Sequence, residues 1–335
     1  TQVNIFFQWL EIVIRWVAGL STRPIVLGQP NLTLLILLLL ALALLYDFRK
    51  QKKIKAGLSL LAILLFFLSK YPLQNEITVV DIGQGDSIFL RDIRGRTIVI
   101  DTGGRVDIGK KEAWQERVRK SNAETTLIPY LKSRGVDHLD QLVLTHTDTD
   151  HMGDMLDLAK HFSIREIYVS KGSMTQSDFV GKLKKMKAKV HVVEVGDRLP
   201  IFDSALEVLY PLTQGDGGND DSIVLYGEFF RTKFLFTGDL EAPGEGQMVT
   251  AYPDLRVDVL KAGHHGSKGS SSPEFLEHIK PKLALISAGK NNRYQHPHQE
   301  TLERFEKIQT KILRTDEKGA IRFKGWSSWK IETVR

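Results

Sequence analysis

Four potential metal ligands fall within six residues at His146-Thr147-Asp148-Thr149-Asp150-His151, and no other stretch limits the fold so tightly. The apolar run 139–144 before it reads as a buried strand, and 152–161 after it reads as a helix. The loop therefore sits at the C-terminal end of a strand. Extended backbone sends His146, Asp148 and Asp150 to one side, and the turn into the helix brings His151 beside Asp150. Two imidazoles and two carboxylates at one point suit one divalent cation or a pair of them. A polar loop that only caps the next helix is the alternative for this stretch taken alone.

Further strand-end motifs weigh against that alternative. Ile98-Val99-Ile100-Asp101-Thr102-Gly103-Gly104 ends a strand on an acid, and Phe234-Leu235-Phe236-Thr237-Gly238-Asp239 repeats the device. Lys261-Ala262-Gly263-His264-His265-Gly266-Ser267 delivers two histidines, and His296 lies in Tyr294-Gln295-His296-Pro297-His298. Each is weak by itself, because Gly-Asp after a strand is ordinary turn chemistry. Together they put acid or imidazole at one strand terminus after another. The chain has no cysteine, so any metal must be held by histidine and carboxylate, and thiol nucleophiles and disulfides are excluded.

Strands are expected at 77–82, 86–90 and 96–100, the first two joined across Gly83-Gln84-Gly85. Helices are expected at 123–133, 152–161, 175–187, 273–279 and 299–308, with strands between them. Early strand pairs followed by strand–helix alternation predict an α/β domain over 76–335, two sheets faced by helices.

Residues 1–75 have a different texture. They carry eight Lys/Arg against two Asp/Glu, so the formal charge of +6 resides there and the remainder is formally neutral. A narrow polar stripe at helical spacing over 1–20 predicts an amphipathic helix at a membrane surface or lining a polar path. The uncharged runs 31–46 and 56–68 flank Arg49-Lys50-Gln51-Lys52-Lys53-Ile54-Lys55, which predicts a transmembrane hairpin at about 25–69 with a cytoplasmic basic turn. Lys70 and everything after it would then face outward. The chain opens on Thr1 and reads as part of something longer.

The motifs in their order resemble the metallo-β-lactamase superfamily, whose loop is His-x-His-x-Asp-His. The match is to its ComEC-type branch of bacterial competence proteins for DNA internalisation. That resemblance rests on Val80-Asp81-Ile82-Gly83-Gln84-Gly85-Asp86-Ser87, Asp148, Thr237-Gly238-Asp239, the His264-His265-Gly266-Ser267 element and the attached apolar spans. It implies an αββα sandwich preceded by transmembrane helices, with two divalent metal ions between the sheets. His146 and Asp148 would hold the first metal, Asp150, His151 and His265 the second, and Asp239 would bridge them. His264 and His296, with Asp150, would serve catalysis; Ser267, Lys268, Gln84 and Asp86 would meet substrate; Asp81 and Asp101 would lend structural support.

Two departures bear on the metal. Position 148 is Asp where the superfamily usually has His, and Asn219-Asp220-Asp221 stands where its third histidine motif should fall. Oxygen-rich coordination favours Mn²⁺, with Zn²⁺ as the alternative. The implied activity is that of a metal-dependent phosphodiesterase, a nuclease that hydrolyses DNA during uptake, with the non-transported strand as its expected substrate. A phosphoesterase acting on choline phosphate or teichoic-acid polymers and a non-catalytic DNA-binding domain are the alternatives. The implied partners are DNA, membrane lipid, other parts of the same polytopic protein and further DNA-uptake proteins. Lys182, Lys184, Lys185, Lys187 and Lys189 form either a DNA track or a solvated helix face.

Overall fold

Runs of β-branched and aromatic residues form strands that pair into two sheets. The structure is a computed structural model and describes residues 32–48, 50–105 and 120–335, with 8, 11, 12, 15, 26 and 28–30 before them. The strands among them are, in chain order, β1 Asn75–Val79, β2 Ile88–Arg91, β3 Thr97–Ile100, β4 His138–Leu144 and β5 Ser163–Val169. They continue as β6 Lys189–Val192, β7 Arg198–Ile201, β8 Ser204–Tyr210, β9 Val224–Phe229 and β10 Thr232–Phe236. The last five are β11 Val259–Lys261, β12 Leu283–Ile286, β13 Lys311–Arg314, β14 Ile321–Gly325 and β15 Trp329–Thr333.

One sheet runs β15-β14-β1-β2-β3-β4-β5-β6 and the other β13-β12-β11-β10-β9-β8-β7. Their facing sides bury Ile77, Leu90, Ile100 and Val143 against Leu206, Leu225, Phe234 and Leu285. The outer side of the first sheet is covered by helices Ile128–Ser133, Met155–His161 and Ser177–Leu183, through Leu131, Leu158 and Phe179. Helices Ala242–Ala251, Pro273–Ile279 and Gln299–Lys307 cover the second, through Met248, Phe275 and Phe305. The layering is α/β, helix–sheet–sheet–helix. Truncating one such buried Phe to Ala costs about 3–5 kcal/mol, so the layers are fixed relative to one another.

β3 to β6 pair in parallel, and so do β10 to β13. Loops leaving the carboxyl ends of parallel strands are where such folds collect ligands. The loops after β3, β4, β10 and β11 carry Asp101, residues 145–151, Asp239 and residues 263–266.

Several expectations change. The helix foreseen over 175–187 ends at Leu183, so of the five lysines only Lys182 is helical, and it pairs with Asp178 at 2.8 Å. Helix Ala242–Ala251 was not anticipated, since Pro243, Gly244 and Gly246 lower its propensity; burial of Met248 and Glu245 holds it. Strands β7 and β15 were likewise unread.

Before the sheets, helices Leu32–Asp47 and Lys52–Lys70 pack on one another as a hairpin. Among the described residues no helix is long and apolar enough to cross a membrane. The first has 16 residues, about 24 Å of rise against a hydrocarbon layer of about 30 Å. Its expected extension upstream does not form at 28–30, where Gly28 has φ 76° and Pro30 precedes the helix. Leu35, Leu39, Leu42, Leu60 and Leu64 are nonetheless exposed. The expected amphipathic helix over 1–20 lies almost wholly outside the described residues; within it Arg15 and Glu11 pair at 2.7 Å.

Candidate metal centre

The centre is built outward from Asp101. Its side chain is fully buried and its backbone left-handed, φ 60°. Oδ1 accepts the Thr145 N–H (2.8 Å), and Oδ2 accepts the Thr145 hydroxyl (2.7 Å) and the His151 Nδ1–H (2.8 Å). A carboxylate only accepts, so the proton on His151 is fixed at Nδ1 and its Nε2 keeps a lone pair. Thr145, having given its hydrogen to Asp101, accepts from His146 Nδ1–H at 3.0 Å. His265 donates Nδ1–H to the Ser287 carbonyl at 3.0 Å. Three histidines are thus oriented with Nε2 available, the arrangement that metal-ligating imidazoles require.

Those nitrogens converge. His151 Nε2 and His265 Nε2 are 3.2 Å apart, and Asp239 Oδ2 lies 3.1 and 3.3 Å from them. Asp150 Oδ2 is 3.4 Å from His265 Nε2. Two lone pairs facing each other beside carboxylates repel unless positive charge lies between them. His146 Nε2 and Asp239 Oδ1 are buried with no hydrogen-bond partner, and leaving such groups bare is costly. A divalent cation answers all of these at once, and the residues fit one. His146 and Asp148 stand next to this set, with Nε2 and Oδ2 3.9 Å apart. Asp148 is half exposed at the open side, so a second cation there would take few protein ligands.

The electrostatics agree. Burial would lower His151 and His265, yet Asp239 beside them holds both well above the usual imidazole range. Burial works against ionisation of Asp239, but the same two imidazoles keep it well below the carboxylate range. The gap attracts positive charge, as a proton or as a metal. His146, by contrast, is pulled down to about 3 by burial and by His151, which leaves it a neutral donor at physiological pH. Burial and Asp150 raise the carboxyl of Asp148.

Close approach explains two glycines. A Cβ on Gly85 would lie 2.2 Å from the Asp150 carbonyl oxygen, and Gly85 has φ 123°. At Gly238, φ 53°, a Cβ would come within 3.1 Å of Ser222 and Thr145. These contacts seat the 83–86 turn and the Asp239 loop against residues 145–151.

The rim holds His264, whose Nδ1–H donates to Glu241 Oε1 at 2.8 Å and whose Nε2 lies 3.8 Å from Asp239 Oδ2. His264 and His265 are both left-handed, φ 44° and 54°, so the turn directs one imidazole outward and its neighbour inward. The His296 ring is 5.3 Å from that of His264, its Nδ1 lacks a partner, and burial with His265 and His264 nearby lowers it to about 4. Ser267 is nearly buried, and its Oγ accepts the Gly269 N–H at 3.2 Å. Lys268 is exposed beside His298. Gln84 receives the Gly289 N–H at 3.2 Å, and its Nε2 is free of protein partners.

One placement differs from the sequence reading. Asp86, expected at substrate, is 2% exposed and closed off beneath the centre. It pairs with the fully buried Lys261, and its Oδ1 is 3.3 Å from His265 Nδ1. Asp86, His151, Asp239 and His265 each offer a ligand atom within 4.8 Å of the others. Because Asp86 faces the proton-bearing edge of His265 and is neutralised by lysine, it orients that ring rather than ligating. Asp81, expected to lend structural support, pairs at 3.1 Å with Arg335.

Lys261, Glu241 and Asn219 were not singled out from the sequence. Asn219 Nδ2 reaches His264 Nδ1 and Glu241 at 3.4 and 3.5 Å. Asp221 turns away to accept the Ser170 hydroxyl (2.6 Å) and the Gly215 N–H (3.0 Å). The segment where a third histidine motif was sought thus brings an amide to the rim and no nitrogen ligand. The signal available for Glu241, and not used, was an acid two residues after Asp239.

Residues 80–290 match the family model of the metallo-beta-lactamase superfamily. The chain belongs to that superfamily. Within it, the chain is similar to ComEC-type competence proteins. It is 36% identical to ComE operon protein 3 of Bacillus subtilis over 96% of this chain and 44% of that protein. It is 31% identical to competence protein ComA of Neisseria gonorrhoeae over 92% of this chain and 41% of that one. The chain spans less than half the length of these curated relatives. Among solved structures, the metallo-beta-lactamase fold protein YhfI of Bacillus subtilis superposes with TM-score 0.46 and 11% identity, covering 71% of this chain and 95% of that one.

Proposed function

We propose that this superfamily member is a metal-dependent phosphodiesterase acting on DNA, part of a membrane protein for DNA uptake. The observation that carries the reading is the three-imidazole, carboxylate-flanked gap with a second ring of donors at its mouth. His151, His265 and Asp239, with Asp150, would hold one divalent cation; His146, Asp148 and Asp239 would hold another. When bound, such cations supply Lewis acidity toward water and toward a phosphoryl oxygen. The chain's own part is orientation. Asp101 and Ser287 fix which ring nitrogen is free, and Lys261 neutralises Asp86 behind His265. Glu241 takes the Nδ1–H of His264 and leaves its Nε2 an acceptor toward the mouth, where His296 and the Ser267 hydroxyl can donate to the non-bridging oxygens of a phosphodiester. An anionic diester matches this set better than a neutral amide does, because the mouth offers donors in addition to a metal gap.

The competence names of the relatives support DNA as the substrate. The exposed leucines of the helical hairpin and the basic turn at 50–55 support a membrane setting, with the hairpin spanning the bilayer and the sheets outside the cytoplasm. The oxygen ligand at position 148 supports Mn²⁺ over Zn²⁺.

The experiment is an assay of the metal-stripped chain on labelled single- and double-stranded DNA, with Mn²⁺, Zn²⁺ or Mg²⁺ restored separately. Metal-dependent cleavage that Asp150→Ala abolishes is expected. No cleavage with any metal, by a chain that binds the ions, would overturn the nuclease reading.

A further inference from the structure

Outside the metal centre, Arg91 is a buried cation without an ion pair among the described residues. It is 5% exposed, at the end of β2. Its guanidinium donates to the carbonyls of Arg134 and Lys70, and its Nε has no partner. No carboxylate lies within ion-pair distance of it among the described residues. A buried guanidinium without a carboxylate in contact is an unfavourable arrangement, and burial presses its pKa down to about 10 although Glu76, Asp137 and Asp92 act on it from farther off.

Arg91 lines a cavity of about 270 Å³ where the open end of the helical hairpin meets the first sheet. Lys70, Arg134 and Lys324 line it too, and Glu76 is the single acid among its lining residues. Glu76 is already engaged by Arg134 at 2.5 Å and Arg322 at 3.3 Å. Lys70 and Lys324 find their carboxylates outside the cavity, in Asp137 at 2.7 Å and Glu332 at 3.0 Å. The cavity therefore carries net positive charge. The hairpin is bolted to it, since the Gln29 N–H donates to the Ser133 carbonyl at 2.6 Å.

The other wall is apolar. Leu34 and Leu68 line the cavity at the two helix ends. From there exposed leucines continue along both helices, Leu35 to Leu44 on one and Leu64 to Leu60 on the other. From Leu34 to Leu44 the helix rises about 15 Å, the depth of one hydrocarbon leaflet.

We propose that this cavity binds the phosphate of an anionic phospholipid, whose acyl chains lie along the exposed leucines of the hairpin. The inference rests on the membrane setting proposed above and goes beyond it. A cationic pocket and an apolar track leading away from it match the two ends of one molecule. A soluble phosphate would use only the first.

The test uses the full chain in neutral detergent, with phosphatidylglycerol and phosphatidylcholine added in equal amounts and retained lipid read by native mass spectrometry. Phosphatidylglycerol is expected to be retained preferentially. Arg91→Gln and Lys324→Gln are each expected to lower its retention about fivefold, the effect of one basic contact. Lys324 caps no helix carbonyl, so its variant decides the matter if Arg91→Gln does not fold. Equal retention of the two lipids, or unchanged retention in Lys324→Gln, overturns the proposal. So does displacement of the lipid by an equal concentration of glycerol 3-phosphate, or by a single-stranded oligonucleotide. Flotation with vesicles of phosphatidylcholine alone reports insertion of the hairpin by itself. Its failure counts against the membrane setting and hence against the lipid, whereas flotation with equal lipid retention overturns the pocket alone.

Discussion

Replacing Asp101 by Asn removes charge from the centre without changing its shape. Asn tolerates the left-handed backbone found there, so the effect must come from hydrogen bonding. Asp101 accepts three donors between 2.7 and 2.8 Å, and Asn can accept with one atom only. If its oxygen stays on the Thr145 N–H, its amide faces His151 Nδ1 and drives the ring to carry its proton on Nε2. If the amide flips, its N–H₂ meets the Thr145 N–H. Either way the lone pair at the gap or an anchoring bond is lost. Partners that orient metal-bound histidines are typically worth 10- to 100-fold in metal affinity, which is about 1.4–2.7 kcal/mol. We expect Asp101→Asn to weaken metal binding by that factor, measured by chelator competition on the full chain. ¹⁵N NMR of the neutral ring, at a pH above its titration, should show His151 protonated at Nε2 in the metal-free variant and at Nδ1 in the wild type. Affinity within twofold of wild type, with the proton still at Nδ1, would refute the argument that Asp101 sets the ligand.

Further outcomes follow from the same geometry. Asp148→His is expected to raise the ratio of Zn²⁺-supported to Mn²⁺-supported cleavage, and an unchanged ratio in an active variant would remove Asp148 from the ligand set. Lys261→Met strands Asp86 as an unpaired buried carboxylate and should cost about 3–5 kcal/mol in urea unfolding, much of it recovered by adding Asp86→Asn. His296 stays neutral in the folded chain down to about pH 4, whereas the unfolded chain takes up that proton below about pH 6.5. Stability is therefore lost as pH falls across that window, and His296→Gln should lose less over the same range. In this cysteine-free chain, Lys52→Cys should resist an impermeant thiol reagent in intact cells while Lys110→Cys reacts; the reverse pattern would invert the proposed topology.

What could be read from the sequence, and what could not, divides by the range of the interactions involved. The strand-loop-helix around His146 to His151 was legible because apolar periodicity and ligand type coincide within one short segment. Helix Pro273–Ile279 lies where it was expected, and its start is local, Ser272 as N-cap with a first-turn proline. Asp86 was misplaced because an acid after Gly-Gln-Gly looks the same whether a metal, a substrate or a lysine faces it. The lysine is on β11, far along the chain, and Lys261 itself resembles the solvent end of a strand. Helix Ala242–Ala251 is held by packing and by Glu245, which accepts the N–H groups of Ser271 and Ser272, against the local preference of its proline and glycines. β15 is a sheet edge whose alternation only gains meaning once β14 is beside it.

The adjacent left-handed residues His264 and His265 carry one further consequence. One imidazole belongs to the ion and the next to the mouth where a ligand would arrive, and a single rigid peptide joins them. Any ligand that immobilises His264 also immobilises His265, and an ion that fixes His265 pre-arranges His264. The two binding events then share a coupling free energy, which is reciprocal by thermodynamic necessity. Occupancy of the mouth must tighten binding of the ion by the same factor as the ion tightens binding at the mouth.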